Sequence, residues 1–372
     1  MRSVHPIRLP LMLMTALTIS GCFEGDNSGS DDTSAGRLNY NGFSGLTYQT
    51  ASQTGTTDSQ GEFRYYPGET LSFRVGDLPL VSGVPTQQHV TLLEFFADLR
   101  AALTNPSVDD LGLSTHTITE QQLLDNVPLT NLTRFLISLN WTVNVREGEG
   151  IEIRDRVIQQ LNASLPYLAA PIDFNVSEAE FTALGQTPSP ANQLLAAICF
   201  YPEEDELCED PPTQTEIDNA DPRPENEEDR DPDVEYREDL IAKRDRILDA
   251  TRTLEDIDAE DARTYLSREL KAISTTVANR FYLDEDVASH PASDTSIKTV
   301  RVRRIAGSAQ LADVDAISTR PGDVVINATN WQSAQVEYFV AGNAGGESEL
   351  ILSFRPENTY RWVRKPLRVI IR

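Results

Sequence analysis

The sequence predicts an α+β multidomain fold: a small N-terminal β-sandwich module, a helical middle and a C-terminal Ig-like β-sandwich. Three observations predict it. Apolar residues alternate with polar ones between Leu38 and Val75, recur at three- and four-residue spacing from Leu92 to Phe281, and alternate again from Val300 onward. A length of 372 residues is also more than one hydrophobic core usually serves.

Ahead of the first module, Arg2, His5 and Arg8 make a basic start, Leu9 to Ile19 an apolar run, and Ile19-Ser20-Gly21-Cys22 a lipobox. The run is shorter than the ~20 apolar residues that span a bilayer. It therefore reads as a removable lipoprotein signal over 1–21, with Cys22 as the lipidated residue. At ~0.8 kcal/mol per buried methylene, several acyl chains anchor stably where one does not. Phe23 follows the cysteine in place of an aspartate, which favours the outer membrane. Residues 22–37 read as a flexible tether, because Asn, Ser, Gly, Asp and Thr offer too little apolar surface to repay ordering.

The β module spans 38–82. Leu46 and Tyr48, then Phe63 and Tyr65, flank the turn-forming Thr57-Asp58-Ser59-Gln60-Gly61. Pro67-Gly68-Glu69 turns the chain into a further strand, in which Leu71, Phe73 and Val75 alternate with Ser72 and Arg74. A helical region follows over 85–200. Leu92, Leu93, Phe95, Phe96, Leu99 and Leu103 mark one apolar face, a second helix is expected near Leu129 to Leu139 and a third from Ile151 to Leu165. Ser177 with Glu180 has the form of a capping box, and Ser189-Pro190 that of a cap with proline at the first helical position.

Residues 201–233 form an acidic loop. Between Glu203 and Asp239, eighteen carboxylates against three arginines supply about -15 of the net charge of -26. So negative a field argues against nucleic-acid binding. Residues 234–285 read as a helical hairpin carrying Leu240, Ile241, Ile247 and Leu248, then Tyr265, Leu266, Leu270, Ile273 and Phe281, with a linker from Ser289 to Thr295. Residues 293–372 read as the β-sandwich, its short strands separated by Pro321-Gly322, Gly342 to Gly346 and Pro356 to Asn358. This last region carries about +3 from eleven basic and eight acidic residues beyond Ala292.

Once Cys22 is lipidated two cysteines remain, Cys199 and Cys208, and an exported protein lives where disulfides persist. Their pairing closes a short loop and contributes ~2.5 to 3 kcal/mol on the loop-entropy argument.

Catalytic signatures are missing from the sequence. His5, His89, His116 and His290 are scattered, and no HExxH, GxSxG, P-loop or CxxC pattern occurs. The reading is a non-enzyme with no cofactor. A histidine, His89 or His116, found beside a carboxylate and a serine would revive a hydrolase. The best metal candidate is a weak calcium site at Asp229, Asp231, Asp233 and Glu235, where alternate carboxylates could converge on the ion. Val234 stands at the glycine position of an EF-hand and Leu240 at its bidentate glutamate. Trp331, Tyr338, Tyr360 and Trp362 offer a carbohydrate-stacking surface or a sandwich core.

The run Gly45-Leu46-Thr47-Tyr48, Gly55 to Phe63 and Pro67 to Phe73 resembles a module of uncharacterised proteobacterial lipoproteins and is similar to carboxypeptidase-regulatory-like β-sandwiches. In those lipoproteins an Asn-x-x-Arg-x-Leu helix and a glycine turn follow. Asn131-Leu132-Thr133-Arg134-Phe135-Leu136 and Gly148 to Ile153 match that order, so the resemblance covers roughly the first 160 residues. Where relatives carry an LDxDG-like stretch, this chain has Leu139-Asn140-Trp141-Thr142. Ala196-Ala197-Ile198-Cys199-Phe200-Tyr201-Pro202 and Tyr360-Arg361-Trp362-Val363-Arg364-Lys365 also make the layout similar to gammaproteobacterial proteins described as organic solvent ABC transporter permeases.

Together these readings describe a lipid-anchored cell-envelope protein, attached to the outer membrane, that works as a binding or structural module. Its expected partners are the membrane, through the anchor, and an envelope protein or polysaccharide. The alternative is a non-enzymatic accessory of an envelope transport system for apolar molecules.

Overall fold

The computed structural model describes residues 33–142, 145 and 148–372, with the side chain of residue 227 left aside. Residues 1–21, read as a signal peptide, Cys22 and most of the segment read as a tether lie outside the described residues. Residues 33–372 form one compact unit of α+β architecture, and two apolar cores run through it.

In the N-terminal module the strand Ser34–Leu38 is central to a three-stranded sheet, antiparallel to Glu62–Tyr65 and parallel to His89–Val90. The tether reading is thus corrected from Ser34 onward. That strand is held by backbone pairing, by close approach of its partner and by the buried Leu38 at its end. A Cβ on Gly36 would sit 2.4 Å from the Phe63 ring, so only glycine lets that ring pack across the strand. The second sheet runs Thr54–Thr56, Thr47–Gln49, Thr70–Val75, Leu78–Pro85. Leu71, Phe73 and Val75 are buried as their alternation requires, and Phe63 meets Phe73 edge-on at 5.7 Å between ring centroids.

The same core continues into the helices. The apolar run at Leu92 divides into a 3-10 turn, Leu92–Phe95, and the helix Ala97–Leu103. Val127–Ser138 is buried along most of its length, capped by the Asn126 side chain with Pro128 in the first turn. Ile151–Glu152 is not helical: it pairs in parallel with Phe43–Ser44, and the third helix begins at Asp155. Ser177 and Ser189 cap their helices as the sequence predicts, accepting from the Glu180 and Asn192 amides.

The acidic segment carries more order than a loop. Thr213 caps a helix, Gln214–Asn219, which buries Ile217 and packs on Arg237–Asp249. The hairpin reading is corrected as well, because the long helix Ala259–Ala278 takes Val127–Ser138 as its chief neighbour, while Arg237–Asp249 lies against Gln214–Asn219. Only Ile247 of Arg237–Asp249 is buried. That helix has one apolar anchor where a packed hairpin needs a stripe. The long helix ends at Ala278; Phe281–Leu283, read as the helix end, and Val287–His290, whose last two residues were read as linker, are edge strands of the C-terminal β-sandwich.

Its two four-stranded sheets run Phe281–Leu283, Lys298–Arg304, Gln335–Val340, Val324–Asn330 and Val287–His290, Val363–Ile371, Glu347–Pro356, Leu311–Ser318. Val300 opposes Val336 in one sheet and Leu350 opposes Leu367 in the other, and all four side chains face the core between them.

Candidate functional site

Sequence-distant polar residues meet where the N-terminal module and the helices abut the sandwich. The segment Thr359 to Trp362 leads from the strand Glu347–Pro356 towards Val363–Ile371 and carries Tyr360, Arg361 and Trp362 into this junction. Arg361, 1% exposed, is among the largest fully buried side chains. Its guanidinium donates to the Tyr360 hydroxyl at 2.8 Å and lies 3.7 Å from Glu120 Oε1. The Tyr360 hydroxyl donates in turn to Glu120 Oε1 at 2.7 Å. Glu94, also buried, accepts from the Thr91 amide and hydroxyl and from Gln87.

Burial pushes the Glu94 and Glu120 carboxyls up, and the Arg361 charge pulls both back down. Burial works against the Arg361 charge as well. Tyr360, Glu120 and Glu94 outweigh it and raise the Arg361 pKa overall. The group is one buried cation set among two carboxyls and a phenol, a geometry that strongly penalises loss of any one partner.

His116 stands at the start of the helix Thr117–Leu123 and completes the cluster. Its Nδ1 accepts from the Trp362 amide at 2.9 Å and its Nε2 lies 2.8 Å from Ser274 Oγ, with Glu120 Oε2 3.8 Å from Nε2. A histidine, a serine and a carboxylate are therefore neighbours, the constellation that would revive a hydrolase. The hydrogen bonds run the wrong way for it. Burial, then the Arg361 and Arg364 charges, holds the imidazole neutral with a pKa of about 3. With Nδ1 accepting from a backbone amide, the single proton sits on Nε2 and is donated to Ser274. A general base needs the Nε2 lone pair on the serine hydroxyl and Nδ1–H on the carboxylate. Here the lone pair is spent on the Trp362 amide.

Two clefts flank this cluster, separated by Thr86, Gln87, Asn358 and Thr359, which line both. The larger, about 490 Å³, is walled by His89, Arg280, Arg304 and Arg361, with Gln88 and Gln310. The smaller, about 450 Å³, is walled by Glu94, Arg100, Leu103, Tyr360 and Trp362. His89 is 8% exposed, and neither ring nitrogen has a hydrogen-bond partner among the described residues. The Trp362 indole nitrogen is likewise unpartnered among them. Burial, then the charges of Arg361, Arg280 and Arg37, keeps His89 neutral with a pKa of about 4.

Other residues singled out in the sequence fall elsewhere. Cys199 and Cys208 form a disulfide with Cα atoms 5.4 Å apart. Among the described residues no three His, Cys, Asp or Glu side chains group to hold a metal ion. Asp229, Asp231, Asp233 and Glu235 follow one another along exposed chain. Asp231 caps the Asp233 amide, and Glu235 lies 3.9 Å from Lys243. The weak calcium reading therefore finds no such group among the described residues. The four aromatics form no common surface: Trp331 is exposed, Tyr338 is buried with its hydroxyl 3.0 Å from His290 Nε2, and Tyr360 and Trp362 belong to the junction.

The Asn-x-x-Arg pattern proves to be a clamp. Asn131 donates to the Phe174 and Val176 carbonyls, and Arg134 to those of Leu254 and Ile257 and to Glu178 at 2.8 Å. Both side chains thereby satisfy loop carbonyls that would otherwise be buried without partners.

Sequence reading passed over Glu94 and Glu120 as members of a site, and counted Arg361 only among the basic residues of the C-terminal region weighed as a site for an anionic polymer. The one local signal was a carboxylate inside the apolar run Leu92 to Phe96. Among the described residues no helix is long and apolar enough to cross a membrane. No protein-family model matches the chain, and no curated protein matches it.

Proposed function

We propose that this chain is a lipid-anchored lipoprotein of the bacterial outer membrane that acts by binding, with the junction clefts as its binding element. Cys22 supplies the anchor and the residues after it the tether. The observation that carries the binding role is the junction itself. A buried cation is fixed by partners from separate parts of the chain, and beside it open two clefts lined by Gln87, Gln88, Arg100, Arg280, Arg304 and Gln310. Pre-formed concave sites with a few convergent polar groups are what ligands use. The direction of the His116 hydrogen bonds supports a non-enzymatic reading.

Crosslinking and pull-down of the lipidated protein from envelopes, beside a Cys22→Ser control, tests this. The expected result is labelled palmitate in the wild type alone and recovery of an envelope polymer or protein that requires the anchor. Failure of palmitate to enter the wild type removes the lipoprotein assignment. Recovery of a transporter complex replaces the stand-alone role by the accessory one.

A further inference from the structure

We propose that the Cys199–Cys208 disulfide is a redox latch: closed, it holds an acidic lobe, residues 203–249, against the body, and its reduction by a dithiol frees the lobe while the body stays folded.

The lobe is an excursion whose two ends are pinned together. Phe200, where the chain leaves the body, belongs to the N-terminal core, and the Arg252 guanidinium, where it returns, lies 3.7 Å from the centre of the Phe200 ring. Arg252 also donates to the carbonyls of Ser138 and Asn140 and, at 2.6 Å, to that of Trp141. Between these fixed points the lobe folds largely on itself. Arg237 donates to the Ala220 carbonyl at 3.0 Å, Arg223 pairs with Asp239, and the Tyr236 hydroxyl accepts from the Asp231 amide. Ile217, Tyr236 and Ile247, buried within it, belong to neither of the two apolar cores.

The bridge is what ties this lobe to the body. Cys199 follows the buried Ile198, and its amide donates to the Gln160 side chain at 2.7 Å. Cys208 carries the other sulfur, and on either side of it Glu206 pairs with Arg246 and Glu209 with Lys243 of the helix Arg237–Asp249. The chief neighbours of that helix are Gln214–Asn219 and the short turn Glu206–Cys208. Both ion pairs lie at the surface, where water competes for the partners. They position the helix only while Cys208 is itself fixed. With the bridge open, the helix keeps Ile247 as its one buried anchor.

The bridge is open to a reductant, since both cysteines are half-buried and line a cleft of about 390 Å³ with Arg156, Gln160, Ile247 and Leu248. A thiolate of the dithiol attacks one sulfur to form a mixed disulfide, and its second thiol then displaces the other cysteine. The protein takes up two electrons and two protons as two thiols, and the reagent leaves as its cyclic disulfide. Arg156, with a guanidinium nitrogen 3.4 Å from Cys208 Sγ, stands where it stabilises a departing thiolate.

The test is trypsin digestion of the full chain under native conditions, with and without dithiothreitol, the gain of two thiols being counted first. Cleavage at Lys243 and Arg244 should be at least about tenfold faster in the reduced chain, because local opening then exposes the helix, while Arg134 and Lys271 in the body stay uncut. Cys199→Ser with Cys208→Ser should reproduce the reduced pattern without reagent. Glu206→Gln with Glu209→Gln, the bridge intact, should raise the rate by less than about threefold.

The latch is overturned if the two thiols do not appear in the folded chain, or if the helix is cut at one rate with the bridge closed and open. Cleavage of the body together with the lobe also sinks it, since the bridge would then staple the whole fold. A glutamine pair cut as fast as the reduced chain would assign the lobe's position to the ion pairs and remove the latch as well.

Discussion

Two regions of this molecule are rich in charge, and they use it in opposite ways. The segment from Glu203 to Asp239 holds eighteen carboxylates, almost all in water, and its ion pairs are exposed ones such as Arg246 with Glu206 at 2.7 Å. The junction holds only Glu94, Glu120 and Arg361 as buried charges, joined by His116 and Tyr360. Exposed pairs contribute little because water competes for both partners. A buried cation with one partner removed is expensive. Charge density along a sequence is therefore a poor guide to where charge matters in the fold.

The largest effect that would test this contrast is Glu120→Ala. It should cost about 3 to 5 kcal/mol by leaving Arg361 short of a partner, read as the denaturation midpoint at pH 7. The paired change Glu120→Leu with Arg361→Met should recover most of that loss; if it does not, the cluster contributes beyond its charges. Next is the disulfide at the edge of the acidic segment, where Cys208→Ser should cost about 2 to 3 kcal/mol by releasing a short loop.

A smaller effect lies in the pH dependence. His89 and His116 have folded pKa values of about 4 and 3, below the unfolded value of about 6.5. The unfolded chain therefore takes up protons first on acidification. The stability these histidines give above pH 6.5 is lost as pH falls from there towards 4 and 3. Between pH 7 and 5.5 the loss is about 1 kcal/mol for each. Glu94 and Glu120, raised by burial, oppose it, since acidification relieves their cost. Substituting both histidines by asparagine should flatten the fall in melting temperature over that window. An unchanged slope would show that the rings are solvated. Smallest of all, Asp231→Asn with Asp233→Asn should leave the melting temperature unmoved, with or without calcium. A calcium-dependent rise would return function to the acidic segment.

Much of the fold was legible because local patterns and tertiary structure agree. Leu71, Phe73 and Val75 alternate and are buried, Ser177 and Ser189 cap, and Cys199 finds Cys208. The failures share one cause. Residues 34–37 looked like tether because they are held by backbone pairing and by the Phe63 ring packed over Gly36, neither of which shows in their own composition. Phe281–Leu283 looked like a helix end because a three-residue strand is too short to show a period. The candidate site was the least legible part, since Glu94, Glu120 and Arg361 come from distant positions and only Glu94, set inside an apolar run, departs locally from an ordinary surface charge.

The sequence by itself determined the α+β succession of elements, the cysteine pair and the sign of charge along the chain. These depend on composition and near-neighbour spacing. Only the tertiary structure decided which charges lose their water, which way the His116 proton points and where the clefts open. Those outcomes depend on residues such as Glu120 and Arg361, hundreds of positions apart, meeting in a place that excludes solvent.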